Sequence, residues 1–159
     1  MAIYHLSVKP ISRSAGRSAT AAAAYRAGVE IADERTGEVH DYRRKGGVES
    51  AELVLPAGAP EWAADRAALW NAAEQAEKRK NSTVAREFEI ALPAELSPDE
   101  RQRLARDFAR ELVERHRCQI GKVASNPVDR DPRRVIDQQL PLRVQCQHKS
   151  FDIRSTGQQ

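Results

Sequence analysis

Cysteine is almost missing from this chain: Cys118 and Cys146 are the only two in 159 residues. With no export signal ahead of them, a structural disulfide is not expected. Long apolar runs are missing too. None approaches the ~18 residues a membrane-spanning helix needs, and the opening MAIYHLSVKP has no extended apolar stretch. An excess of one charge sign is likewise lacking, since 26 Lys and Arg face 23 Asp and Glu, a net of +3. That balance excludes a highly charged disordered chain and does not by itself signal nucleic acid. There is no glycine-rich phosphate loop, no Cys-x-x-Cys and no nucleophile elbow. The four histidines, His5, His40, His116 and His148, lack metal-ligand spacing. These absences leave a cytoplasmic, globular chain. Its length suits one domain, or one domain and a tail, able to bury roughly 68–70% of its unfolded surface.

What is present is unevenly distributed. Up to His116 the chain is alanine-rich and periodic, with 18 basic and 19 acidic residues. From Arg117 to Gln159 only Ala124 remains of the alanines, and 8 basic residues face 4 acidic ones. The whole positive excess therefore sits in the last quarter. Pro127, Pro132 and Pro141 punctuate it, and no sustained period survives. The division expected is 1–116 as the folded part and 117–159 as a divergent basic tail, irregular except for a possible edge strand at Leu140 to Val144.

Periodicity supplies the elements of the first part. Alternation over Ala2 to Val8 predicts a half-buried strand, followed by a polar loop at Ser12 to Gly16. Ser18 can cap a helix over Ala19 to Arg26 that Gly28 ends. Two short strands around Ile31 and His40 flank Asp33 to Gly37, a hairpin with Gly37 in its turn. Glu52 to Leu55 reads as a strand. Pro60 opens a helix to about Lys80, with Trp62, Leu69, Trp70, Ala73 and Ala76 inward and Glu74 and Lys78 paired outside. Arg86 to Leu92 alternates, with Phe88, Ile90 and Leu92 on one side and Glu87 and Glu89 on the other. Ser97-Pro98-Asp99-Glu100 combines a cap, a proline at the first helical position and a capping-box glutamate. The helix it starts carries a stripe of Leu104, Phe108 and Leu112, with Ala105, Ala109 and Val113 beside it. This order predicts an α+β fold, an antiparallel sheet with helices packed on one face. Its other face, carrying His5, Glu87 and Glu89, is either solvated or a site.

One residue stands out against this background. Tyr25 ends a small helix made otherwise mostly of alanine, Ser18-Ala19-Thr20-Ala21-Ala22-Ala23-Ala24-Tyr25-Arg26. It is either an ordinary core aromatic or a phenolic nucleophile beside basic residues. Arg13, Arg17 and Arg26 are near it in sequence, and guanidinium forks suit phosphate.

The blocks Ala2-Ile3-Tyr4-His5-Leu6, Arg13-Ser14-Ala15-Gly16-Arg17-Ser18 and Ala23-Ala24-Tyr25-Arg26-Ala27-Gly28 occur in order. They are followed by Asp33 to Gly37, Asp41-Tyr42-Arg43-Arg44-Lys45-Gly46-Gly47, Trp70-Asn71, Glu77-Lys78-Arg79 and Arg86 to Pro93. Together they make residues 1–116 resemble the N-terminal part of MobA/MobL-type relaxases, the plasmid mobilisation and TraA-like conjugative proteins. The resemblance implies a transesterase with the relaxase type of sheet, acting on single-stranded DNA at a transfer origin, with other mobilisation proteins as possible partners. It places Tyr25 as the nucleophile that becomes linked to the 5′ end of the strand. Glu87 and Glu89 would lie near a divalent metal, Mg2+ or Mn2+, and Arg13, Arg17 and Arg26 would hold phosphates. Aromatic faces for base stacking are few outside Tyr4, Tyr25 and Tyr42.

The chain departs from the family after the helix ending near His116. There the family carries a His-hydrophobe-His pair that holds the metal, and here no His-x-His occurs anywhere. His5 is the remaining candidate ligand. The expectation is a tail unrelated to the family, weak or no metal binding, and poor nicking despite the tyrosine. The alternative is a non-catalytic remnant that binds DNA without cutting it.

Overall fold

A computed structural model describes residues 6–93 and 95–115, with the backbone of His116, Ile120–Ser125 and Leu140–Gln147. Its elements are β1 (Leu6–Ser12), α1 (Ala19–Ala27), β2 (Glu30–Ala32), β3 (Val39–Asp41), β4 (Val48–Val54), α2 (Arg66–Ala76), β5 (Thr83–Leu92), α3 (Pro98–His116), β6 (Ile120–Ser125) and β7 (Leu140–Gln147). The larger sheet has five strands in the order β1-β5-β7-β6-β4, and its pairings are antiparallel. β2 and β3 form a separate hairpin. The fold is the expected α+β arrangement of an antiparallel sheet flanked by helices.

The alternation in β5 sorts its neighbours. Phe88, Ile90 and Leu92 meet Ala105, Phe108, Ala109, Leu112 and Val113 of α3. The Phe88 and Phe108 rings lie edge to face at 6.1 Å. Ala85 instead joins Ile11, Val84, Trp70, Ala73, Ile31 and the alanines of α1 in a second core. In register, Ile11, Lys9 and Ser7 stand opposite Ala85, Glu87 and Glu89. Side chains paired this way share one side of the pleat, so the polar row Lys9, Glu87, Glu89 continues from the α1 core.

Several details differ from the sequence reading. The buried line of α3 runs through Ala105, Ala109 and Val113, and Leu104 is 45% exposed. Small residues let this helix lie close to the sheet, which turns Leu104 outward and leaves Phe108 and Leu112 at the flanks. The expected long helix from Pro60 is two pieces, a tight turn Glu61–Ala64 and α2, whose cap is Asp65 accepting from the Ala68 N–H at 2.6 Å. Trp62 is thereby 41% exposed instead of inward, and Ala76 is exposed as well. Glu74, assigned to the outer face with Lys78, is fully buried. It lies one turn beyond Trp70 on the same face.

The stretch after His116 departs most. Two segments of the expected irregular tail are strands, and both are interior: β7 pairs with β5 and β6, and β6 pairs with β4. Leu140 to Val144, read as an edge strand, has neighbours on both sides. Cross-strand hydrogen bonds order these segments, and no local period announces such bonds. The other residues of 117–159 lie outside the described residues, as do Met1 to His5, on which the start of the expected first strand falls.

Candidate active site around Tyr25

α1 is built to sit close and present one aromatic. The Ser18 hydroxyl accepts from the Ala21 N–H at 3.2 Å, and Ala19, Thr20, Ala23, Ala24 and Ala27 are buried. Gly28 ends the helix at φ 66°, its N–H donating to the Ala24 carbonyl. A side chain at Gly28 would stand 3.6 Å from the Lys45 carbonyl and 3.8 Å from that of Tyr42, in ordinary contact; the positive φ is what favours glycine. This close approach brings the loop after β3 against the end of α1, where the Tyr42 N–H donates to the Val29 carbonyl at 3.2 Å.

Tyr25 is 42% exposed, so it is not an ordinary core aromatic. Tyr42 meets its ring edge-on at 5.2 Å between centroids. The Arg26 guanidinium carbon lies 5.1 Å from the ring centre and the Lys45 Nζ 4.7 Å. Each cation on an accessible ring contributes ~0.5–1 kcal/mol. Arg26 donates from Nε to Glu87 Oε1 at 2.5 Å, and Glu87 is 4% exposed. Glu87 therefore holds Arg26 beside Tyr25 with a charge-assisted bond. In the sequence Lys45 belongs only to the block Asp41 to Gly47, and Tyr42 is in addition one of the few aromatic faces for bases. What joins them to Tyr25 is the approach at Gly28, which spacing does not reveal.

The other expected residues are placed differently. Arg13 lies toward the opposite end of α1. Its Nε and Nη2 reach Glu74 Oε2 at 3.1 and 2.9 Å, and its Nη1 donates to the Glu77 and Arg79 carbonyls at 2.6 and 3.2 Å. Glu74 Oε1 also accepts from the Ala19 N–H at 2.6 Å. Arg13 thus ties the start of α1 to the end of α2. Arg17 is exposed just before the Ser18 cap. Glu89 accepts from Lys9 Nζ at 2.8 Å. The structure brings Tyr25, Arg26 and Glu87 together and leaves Arg13 and Glu89 in other networks.

Asp33, read only as the start of the hairpin turn, anchors that hairpin to α1. It is 1% exposed and accepts from Thr20 Oγ1 at 2.6 Å, Ser18 Oγ at 3.0 Å and the Arg35 and Thr36 N–H groups. Burial pushes its pKa up, but the bonds from Thr20, Thr36, Ser18 and Arg35 outweigh it and hold the carboxyl below its usual range. Asn71 adds a second tie, donating to the Ala32 carbonyl at 2.8 Å and accepting from the Glu34 N–H at 2.9 Å.

Among the described residues no group of three or more His, Cys, Asp or Glu converges as a metal would require. The acidic side chains expected near a metal face cations instead, Glu87 with Arg26 and Glu89 with Lys9. Among the described residues these two carboxylates are held by cations and not gathered into one donor set. The candidate ligand His5, and the side chains of His116 and His148, lie outside the described residues. No helix among the described residues is long and apolar enough to cross a membrane.

The family described as MobA/MobL matches residues 17–132, running past the compositional break at 116. The mobilization protein MobL of Acidithiobacillus ferridurans is 53% identical over 150 residues, covering 94% of this chain and 38% of that protein. The conjugal transfer protein TraA of Rhizobium radiobacter is 43% identical over 134 residues, covering 78% of this chain and 12% of its own length. The chain therefore spans well under half of these curated relatives. A solved structure described as the molecular basis of vancomycin resistance transfer in Staphylococcus aureus superposes with a TM-score of 0.79 at 32% identity. It covers 92% of this chain and 70% of that one. A short alanine helix carrying an exposed tyrosine, an antiparallel sheet and a family match over most of the length lead to one conclusion: the chain belongs to the MobA/MobL family.

Proposed function

We propose that this chain is the tyrosine-bearing part of a plasmid mobilisation relaxase, which binds single-stranded DNA at a transfer origin and presents Tyr25 to the strand. The observation that carries this reading is Tyr25 itself, exposed at the end of α1 with Arg26 at 5.1 Å and Lys45 at 4.7 Å from its ring. Two cations around a tyrosine make a place for a phosphodiester. In the reaction the Tyr25 oxygen bonds to phosphorus while the bond to the 3′ oxygen breaks. The strand is left with a phosphotyrosyl 5′ end and a free 3′ hydroxyl. The phenol proton leaves to a base such as water, and the departing 3′ oxygen takes up a proton. Extra negative charge develops on the phosphate oxygens, and Arg26 and Lys45 are the cations proposed to offset it. Glu87 positions Arg26. Arg17 and Arg26 contact phosphates, and Arg13 acts on the strand by fixing the loop that carries Arg17.

A second reading, binding without cutting, draws support from the pairing of Glu87 and Glu89 with Arg26 and Lys9. It is also supported by the lack of any His-x-His in the sequence. Directly coordinated metal contributes several kcal/mol to such reactions, and losing ~4 kcal/mol slows a step about a thousandfold. The test uses a labelled single-stranded origin oligonucleotide, with Mg2+ or Mn2+, analysed by denaturing electrophoresis and by equilibrium binding. Expected are binding by wild type and Tyr25→Phe alike, and a slow covalent adduct with wild type only. Binding without any adduct favours the second reading, and an absence of binding overturns both.

A further inference from the structure

At the end of α1 remote from Tyr25 the chain forms a cleft of about 560 Å³. Its cationic lining comes from three separate stretches. Arg17 precedes α1, Arg35 stands at the tip of the β2–β3 hairpin, and Lys78 and Lys80 lie in the link from α2 to β5. Arg13 also lines it, but its charge is met by Glu74 at 2.9 Å. Of the acidic residues there, Asp33 is buried and already accepts from Ser18, Thr20, Arg35 and Thr36. Glu38 is left against Arg17, Arg35, Lys78 and Lys80.

Arg17, Lys78 and Lys80 are exposed, and their side chains make no ion pair among the described residues. Arg35 reaches Glu74 only at 3.6 Å, sharing it with Arg13. Like charges drawn from distant parts of the chain over one concavity repel one another, and an anion relieves that repulsion. The end of α1 does not itself supply the anion contacts. Its Ala19 N–H donates to Glu74 and its Ala21 N–H to Ser18. The side chains must hold the ligand.

The shape points to a polymer. A second open groove of about 590 Å³ runs along Glu77 to Thr83, lined by Arg79 and Asn81, and it shares Lys78 with the first. Two grooves that meet at Lys78, with more basic than acidic residues in their walls, suit a backbone of repeated phosphates better than one small anion. α1 rises about 10 Å from its Ser18 cap to Tyr25, so one strand could lie along it from end to end.

We propose that the cleft between Arg17, Arg35, Lys78 and Lys80 is a second phosphate-binding site, which holds single-stranded nucleic acid at a distance from Tyr25. It rests on the DNA-binding reading above and adds residues of the hairpin tip and the α2–β5 link to the interface. The experiment measures binding of a labelled single-stranded DNA oligonucleotide by fluorescence anisotropy across a range of salt. Wild type is compared with Lys78→Ala/Lys80→Ala and with Arg103→Ala/Arg110→Ala, the latter two arginines being exposed on α3. Melting curves confirm that each variant is folded. Each phosphate contact contributes ~0.7 to the slope of log K against log salt, so losing both lysines should make it shallower by about 1.4. That is about 25-fold in affinity per decade of salt below the crossing point of the two curves. The α3 variant should keep the wild-type slope. If wild type binds and the lysine variant keeps its slope, the cleft is idle and the DNA reading stands. If both variants lose slope equally, binding follows diffuse charge and the cleft proposal fails. If wild type binds no DNA at any salt, the DNA reading fails and the cleft goes with it.

Discussion

Glu74 shows what a single buried charge does in this fold. It is wholly removed from water, yet its two oxygens are taken up by Arg13 and the Ala19 N–H. Desolvating such a pair costs much of what its attraction returns, so the pair adds little net stability compared with an apolar filling. Breaking one side is different, because the other charge is left buried and unmatched. The Arg13 side chain is only 11% exposed. Glu74→Gln should therefore cost about 3–5 kcal/mol, read as a lower urea midpoint with an unchanged slope. A loss below ~1 kcal/mol would mean that Arg13 finds water or another carboxylate, and that the pair is no anchor.

At the scale of elements, α1 works through the smallness of its residues. Ala19, Ala23, Ala24 and Ala27 bring its axis close to Ile11, Ile31, Val84 and Ala85, and that depth sets how far Tyr25 projects. Larger side chains have no room there. Ala24, fully buried, becomes overpacked in Ala24→Leu, with an expected loss of about 1–3 kcal/mol despite the good helix propensity of leucine. Ala21→Leu, on a half-buried part of the same helix, should cost less. Comparing the two variants by urea unfolding separates packing depth from propensity, and equal losses would refute the close-approach account. Gly28 belongs to the same device, since its left-handed conformation turns the chain so that Tyr42 and Lys45 return to the Tyr25 ring.

For the whole molecule the order β1-β5-β7-β6-β4 matters most. β6 and β7, both after His116, lie between β5 and β4. Without them the sheet falls into a β1–β5 pair and a lone β4, and the helices α3 and α1 lose their contacts with β6. A chain ending at His116 should show no cooperative thermal transition by circular dichroism, although residues 1–116 hold nearly all the alanine-rich helical pattern. A sharp melt from that shortened chain would return the boundary to residue 116 and make the later strands dispensable.

Several features were legible in the residues alone. The capping box at Ser97 forms as read, with Glu100 Oε2 accepting from the Ser97 N–H at 2.8 Å and Ser97 Oγ from the Glu100 N–H at 3.3 Å. The Ser18 cap, the Gly37 turn and the alternation of Phe88, Ile90 and Leu92 are also local. Each depends on residues a few positions apart, where steric preference and period act directly. The motif blocks around Tyr25 likewise identified the family and marked the tyrosine. Other features needed the tertiary structure. Glu74 sits in a helix where an exposed partner, Lys78, lies four residues on, and only the arrival of Arg13 from 61 positions away makes burial tolerable. The tail carries no period, so its strands exist only through partners on either side. Lys45 reaches Tyr25, and Arg26 meets Glu87, through contacts between elements distant in the chain. Local sequence determined where the capped helices, the turns and the helix carrying Tyr25 lie. Long-range packing decided which charges are paired, which are left facing solvent, and what surrounds Tyr25, because those energies depend on neighbours that spacing along the chain does not specify.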